Sequence, residues 1–297
     1  MTIEEFYENV QLAVLDRLGE GFQTKIQEIQ KNNGIVLQGL VIIEEKKSVS
    51  PMIYLEPFWD SYSKGMPFAV IVDRILQICR EDTPKESIDL SFFNEFEKVK
   101  DRICFRLVSA ERNSELLKKI PHIDFLDLVI CFFYAYEGNA LGAGSILIYD
   151  THMKMWNVTV QTILELAMVN TPRIYPIDRE SMEDVLREVM EKQGEEVPAL
   201  PNEFPLWVIS NRQKVYGATC ILYKDYLKEL FRELGQEYYV IPSSVHAILV
   251  VTYNGENAEE HLKGMIGEVN RTQVDAQEVL SDQLYRYNST TDRLEIV

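Results

Sequence analysis

Gln236-Glu-Tyr-Tyr-Val-Ile-Pro-Ser-Ser-Val-His-Ala-Ile-Leu-Val-Val251 holds two apolar runs hinged on a Pro-Ser-Ser corner, with a histidine at the head of the second run. Tyrosine, valine and isoleucine suit the half-buried surface of a strand, and proline with serine marks the turn between them. The spacing predicts strands over residues 238–241 and 248–252. The period then changes, and Ala258, Leu262, Met265, Ile266 and Val269 fall on one face of a helix. Strand, strand, helix is the unit from which the fold is read.

The same order recurs upstream. Residues 125–136 and 144–149 read as strands and precede a helix carrying Val160, Ile163, Leu164, Ala167 and Met168. Residues 206–210 and 218–223 also read as strands, before a helix with Tyr226, Leu227, Leu230, Phe231 and Leu234. The chain opens on a helix with Ile3, Phe6, Tyr7, Val10, Ala13 and Val14 at helical spacing. A further helical stretch ends at Asn32-Asn33-Gly34. Strands over 35–43 and 52–55 flank a charged turn at 44–48. Pro67 then starts a helix with Phe68, Ile71, Val72, Ile75, Leu76 and Cys79 on one face, a position where its missing N–H has no partner to lose.

Hairpins each followed by a packing helix predict an α+β architecture with antiparallel sheets, because a parallel sheet needs strand and helix to alternate singly. The expected division is an N-terminal α+β lobe over 1–102 and a C-terminal lobe of ββα units over 103–297. Gly142-Ala-Gly-Ser-Ile-Leu-Ile-Tyr149 echoes Gly217-Ala-Thr-Cys-Ile-Leu-Tyr223, each a Gly-Ala turn before an apolar run. An acidic helix is expected over 179–193. Linker composition follows at 194–201 and also marks 80–86.

Of 297 residues 46% are hydrophobic, enough for a substantial core. Asp and Glu number 47 against 30 Lys and Arg, a net charge of −17. That balance argues against nucleic acid as a partner, since a phosphate backbone is gripped by clustered cations, and against an anionic membrane. Met1-Thr-Ile-Glu-Glu-Phe-Tyr-Glu8 lacks the basic start and apolar block of a signal peptide. The longest apolar run is broken by Asp127 and falls short of the ~18 residues of a membrane span. Cys79, Cys104, Cys131 and Cys220 lie far apart with no CxxC pair, as buried reduced thiols do. These features predict a cytoplasmic protein.

Two stretches carry candidate site residues. In Pro242-Ser-Ser-Val-His246, Ser243 and Ser244 stand near His246, the ingredients of a nucleophile and its base. There is no Gly-x-Ser-x-Gly elbow, and serines in such a corner ordinarily cap backbone groups. His152, after a strand end, is a weaker helper or a capping residue. In Ile53-Tyr-Leu-Glu-Pro-Phe-Trp-Asp-Ser-Tyr62, the residues Tyr54, Glu56, Phe58, Trp59 and Tyr62 gather aromatic area suited to a partner, or else to closing the core beside the first helix. Tyr54 and Glu56 are expected on one face of an extended run. His122, His152, His246 and His261 show no metal-ligand spacing, and no P-loop, GxGxxG, EF-hand or kinase signature is present, so no metal and no cofactor is expected.

Ser50-Pro-Met-Ile-Tyr-Leu-Glu-Pro-Phe58, Phe105-Arg-Leu-Val108, Pro121-His-Ile-Asp-Phe-Leu-Asp127, Asn170-Thr-Pro172, Gly217-Ala218 and Pro242-Ser-Ser-Val-His246 together resemble an uncharacterised bacterial family, domain of unknown function 5688, over nearly the whole chain. The resemblance implies a bacterial, cytosolic protein and carries no activity with it. Ala247 stands where the family pattern leads one to expect an acidic residue after the histidine. The leading expectation is a non-catalytic module that binds a protein or peptide, through the 54–62 region or a groove beside the 242–246 corner. The alternatives are a hydrolase using His246 with Ser243 or Ser244, and a structural assembly subunit.

Overall fold

The structure is a computed structural model that describes residues 1–45, 50–82, 91–138, 142–193, 206–252, 255 and 257–297. The chain divides into two units, Met1–Phe92 with Glu137–Gly144, and Phe93–Tyr136 with Ser145–Val297.

The first unit begins with α1 (Ile3–Leu18), started by a capping box in which the Thr2 hydroxyl accepts from the Glu5 N–H and the Glu5 carboxylate accepts from the Thr2 N–H. β1 (Phe22–Gln30) and β2 (Val36–Glu44) form an antiparallel hairpin, and β3 (Met52–Tyr54) pairs with β2. Two helices follow, α2 (Glu56–Ser63) and α3 (Phe68–Asp82). Phe6, Val10 and Val14 of α1 and Ile71, Val72 and Ile75 of α3 bury against Leu40, Ile42, Ile53 and Leu55. The i, i+3, i+4 spacing legible in both helices is what lets one stripe of each reach this core.

Next in the chain come α4 (Phe96–Val99), β4 (Ile103–Ser109), α5 (Ser114–Leu117) and β5 (His122–Phe125) of the second unit, then β6 (Leu128–Gly138) and β7 (Gly142–Leu147), whose adjoining ends fall in the first unit and the rest in the second. Strand order is β4-β6-β5, with β7 also paired to β6. After α6 (Asp150–Trp156) and α7 (Val160–Ile174) come β8 (Ile177–Ser181), α8 (Met182–Gln193), β9 (Leu206–Asn211), a 3-10 turn over Gly217–Leu222, and α9 (Tyr226–Leu234). β10 (Tyr239–Ile241), β11 (Ile248–Val251), α10 (Ala258–Thr272), β12 (Tyr285–Asn288) and β13 (Arg293–Ile296) complete it. The last sheet is antiparallel throughout, in the order β13-β12-β10-β11-β9-β8. The fold is α+β. Hairpin-then-helix order holds for β2–β3, β6–β7 and β10–β11.

Several side chains singled out in the sequence serve this packing. Asn170 of α7 donates to the carbonyls of Lys100 and Ile103, and the Thr171 hydroxyl accepts from the Phe105 N–H and donates to the Ala167 carbonyl. The Asn170-Thr-Pro172 stretch therefore docks α7 on the start of β4. Leu126 and Asp127 form the tight β5–β6 turn, with Leu126 at φ 56. The Asp127 carboxylate accepts from the Ser281 hydroxyl at 2.6 Å and from the Tyr285 hydroxyl, tying this turn to the start of β12. Tyr238 and Tyr287 stack face to face with centroids 5.1 Å apart, both fully buried.

Five local expectations need correction. The helical stretch expected before Asn32 is β1, because its nine residues pair with β2 along their whole length, with half-buried and exposed side chains largely alternating. The strand expected at 218–223 is the 3-10 turn, with Ala218 through Ile221 buried all round, so that pass of the repeated unit has no hairpin. The echo between 142–149 and 217–223 is thus one of composition alone. The first residues of the expected helix at 179–193 belong to β8. Residues 125–136 span the end of β5, a turn and β6 rather than one strand, and β4, β5, β12 and β13 complete sheets that the apolar runs did not announce. The 194–201 stretch, residues 83–86 and most of the 44–48 turn lie outside the described residues.

Candidate functional site

Phe58, Trp59 and Tyr62 lie on α2 and pack against the core of this unit, where the Trp59 and Tyr62 rings meet Phe6, which is fully buried. Ring centroids are 5.4 Å apart for Phe6–Trp59, 5.1 Å for Phe6–Tyr62 and 5.9 Å for Trp59–Tyr62, and Phe68 meets Tyr62 edge-on at 6.5 Å. These tilted and edge-to-face pairings are the favoured ones for aromatic quadrupoles. The cluster is half-buried: each ring leans on the core and keeps part of its surface in water.

Glu56 places α2. Its Oε1 accepts from the Gln38 N–H at 2.6 Å, fixing the first residue of the helix to β2, while Oε2 is buried with no partner among the described residues. Tyr54 and Glu56 do not share an extended run, since β3 ends at Tyr54 and Glu56 begins α2. The Tyr54 ring lies under the Lys31 ammonium, 4.2 Å from its centroid. The five aromatic-region candidates thus part into a ring cluster (Phe58, Trp59, Tyr62), a helix anchor (Glu56) and a separate cation–π pair (Tyr54).

Beside the cluster lies a groove of about 490 Å³ lined by Met1, Asn9, Leu12, Ala13, Tyr62 and Phe68. Leu12 is 64% exposed in the middle of α1, and Met1 is 50% exposed. The Tyr7 hydroxyl is pushed up to about 12 by burial first and then by the charges of Glu56, Asp60 and Glu4. Leu12 and Phe68 were not singled out as site residues in the sequence. The signal for Leu12 was present: it falls off the 3, 6, 7, 10, 14 stripe, so a large apolar side chain stands among polar ones.

The Pro242–His246 corner is bonded mainly through backbone. Pro242 and Ser243 carbonyls accept from the Ser281 and Leu280 N–H groups, the Val245 N–H donates to the Glu278 carbonyl, and the Val245 carbonyl accepts from Ala218. The Ser244 hydroxyl accepts from the His246 N–H at 3.1 Å, an ordinary serine turn. Ser243 is buried, and its hydroxyl has no partner among the described residues. The His246 ring faces elsewhere. Nδ1 accepts from the Tyr216 N–H at 3.3 Å, Nε2 lies 3.5 Å from Glu278 Oε1, and the ring stacks on Tyr216 with centroids 5.9 Å apart. The structure brings Ser244 to the backbone of His246 and brings a carboxylate, not a serine hydroxyl, to its ring.

Two further residues complete the corner. Tyr216 adopts the left-handed conformation at φ 54, and Arg106 from β4 donates to the Tyr216 hydroxyl at 2.8 Å with its guanidinium carbon 4.9 Å from the ring centroid. Gly217 passes so close to β9 that a Cβ there would meet Ser210 Oγ at 2.1 Å and the His246 carbonyl oxygen at 2.4 Å. The Gly217-Ala218 pair is therefore a close-approach point rather than simple turn punctuation.

His152 is the third residue of α6, where its Nδ1 accepts from the Tyr149 N–H at 3.1 Å. Phe93, Tyr149 and Trp156 surround the ring, and burial holds the imidazole below its usual range. It caps a helix from inside an aromatic box. His122 opens β5 with Nδ1 against the Ile120 carbonyl. No three His, Cys, Asp or Glu side chains converge on a metal-sized site among the described residues. A second depression, at Tyr239, Ala258, Glu259 and Lys263, has Glu259 engaged by Arg286 at 3.5 Å and by the Tyr239 hydroxyl at 3.4 Å.

Antiparallel sheets backed by helices, a half-buried aromatic cluster beside a groove and a histidine corner bonded to backbone define an α+β protein. The chain belongs to the family described as a family of unknown function, DUF5688, whose model matches residues 3–289. Comparison with curated proteins and with solved structures returned no match. No helix among the described residues is long and apolar enough to cross a membrane.

Proposed function

We propose that the protein is a non-catalytic module that binds a protein or peptide segment in the groove between α1 and the α2–α3 aromatics. One observation carries this reading. Leu12 stands 64% exposed at the lip of a concavity floored by Tyr62 and Phe68. Aromatic rings with part of their area already held by the core lose little entropy when a ligand covers the rest, which makes them effective anchors. The arrangement at His246 supports a binding reading over hydrolysis, because the imidazole accepts from a backbone N–H and has no serine hydroxyl to activate.

Backbone NMR of the labelled protein, titrated with pools of a random peptide library, tests the proposal. Binding pools are expected to shift the signals of Asn9, Leu12, Ala13, Tyr62 and Phe68 and to leave the 242–246 corner unmoved. Shifts centred on His246 and Tyr216, or none with any pool, would refute it.

A further inference from the structure

The groove has a charge pattern as well as an apolar floor. Glu5, Asn9, Leu12 and Asp16 follow one another at intervals of four, three and four residues, which sets them in a row along one face of α1. Leu12 is the apolar centre of that row and Glu5 and Asp16 are its ends. Glu8 stands one turn before Leu12 and is exposed. Of the cations near in sequence, Arg17 is held by Asp73, while Lys64 and the Met1 ammonium stand against the exposed carboxylates Glu5, Glu8 and Asp16 of α1.

We propose that the occupant of this groove is a basic amphipathic segment of a partner protein, which seats a leucine or aromatic anchor against Leu12, Tyr62 and Phe68 and sets lysines or arginines against Glu5, Glu8 and Asp16. The inference rests on the groove reading above and adds the chemistry of the partner. Like charges across an interface are costly and opposite charges steer and orient the encounter, so the acidic rim selects against acidic peptides as much as it favours basic ones. An anionic lipid surface is repelled by the same rim. The net charge of −17 extends this bias beyond the groove.

Fluorescence anisotropy with two labelled peptides of about 14 residues, long enough to follow the groove-lining length of α1, provides the test. Both carry the same leucine and phenylalanine anchors at helical spacing; one has Lys and the other Glu at the polar positions. The Lys peptide is expected to bind at least about tenfold tighter, with the gap closing between roughly 0.05 and 0.5 M salt. Leu12→Ser is expected to weaken it about tenfold. The exposed double variant Glu8→Lys, Asp16→Lys is expected to reverse the preference. Equal binding of both peptides, still dependent on Leu12, would overturn the charge inference and leave the groove reading standing. Self-association dispersed by Leu12→Ser, with neither peptide bound, would make a second copy of the chain the occupant and overturn the basic partner. No binding by a monomeric protein would sink both readings.

Discussion

Gly217→Ala tests how the histidine corner is held. A Cβ at this position has nowhere to go: it meets Ser210 Oγ at 2.1 Å, the His246 carbonyl oxygen at 2.4 Å and Ser210 Cα at 2.8 Å. Two of those atoms are backbone, so no rotamer change relieves them. Overpacking of this kind costs about 1–3 kcal/mol. The same methyl group intrudes on the bond from the Ser210 hydroxyl to the His246 carbonyl, 2.7 Å long, which is worth roughly another 1 kcal/mol. The expected total is about 2–4 kcal/mol. Urea unfolding, read together with amide hydrogen exchange in residues 206–252, measures it where the loss occurs rather than over both units. Ser210→Ala removes the 2.1 Å contact together with the Ser210–His246 hydrogen bond and leaves both backbone contacts, so the double variant is expected to recover at most a small part of the loss. A Gly217→Ala protein within about 0.5 kcal/mol of the wild type, with unchanged exchange protection in this segment, would refute the close-approach argument.

Gly264→Ala is the opposite case: it sits in α10 with open space where the Cβ goes, so it is expected to raise stability by about 0.5–1 kcal/mol by urea melt. Asp127→Ala strips two hydrogen-bond acceptors from Ser281 and the fully buried Tyr285, and is expected to cost about 2–4 kcal/mol, while Asp127→Asn, which keeps one acceptor, costs visibly less in the same assay. All four cysteines are buried, so a thiol reagent at neutral pH is expected to label none in the folded protein and all four after unfolding. Burial pushes the Cys104 and Cys220 thiols from an ordinary value of 9.0 up to about 12. Because these folded-state values are raised, their contribution to stability is whole below pH 9 and is lost as the pH climbs toward 12, so thermal unfolding is expected to fall across that interval and to fall less in a Cys104→Ala, Cys220→Ala variant.

The α+β class and most helices were legible because periodicity is a local signal. The stripes of α1, α3 and α10 and the pair β10–β11 are each written in fewer than twenty consecutive residues. β1 was misread as helix because Lys25, Gln27, Glu28 and Gln30 are good helix formers, and only the register with β2 overrides that preference. The run 218–223 was misread as a strand because its composition is strand-like while Gly217 needs contact with Ser210 and His246. At the candidate site the aromatic cluster could be named from the sequence, but its division could not. Whether Tyr54 and Glu56 share one extended run depends on where β3 stops and α2 starts, and the hydrogen bond that the Gln38 N–H donates to the Glu56 carboxylate marks that point.

The local periods, the acidic balance, the family and the aromatic-rich entry into α2 are all written in the order of residues along the chain. Tertiary structure alone decided which polar side chains meet. Asp127 finds Tyr285, Arg106 finds Tyr216 and Gly217 closes on His246, across 158, 110 and 29 positions of chain. The reason is physical: helix and strand patterns arise from neighbours along the chain, whereas hydrogen bonds and close approaches between distant segments form only after burial has set those segments side by side.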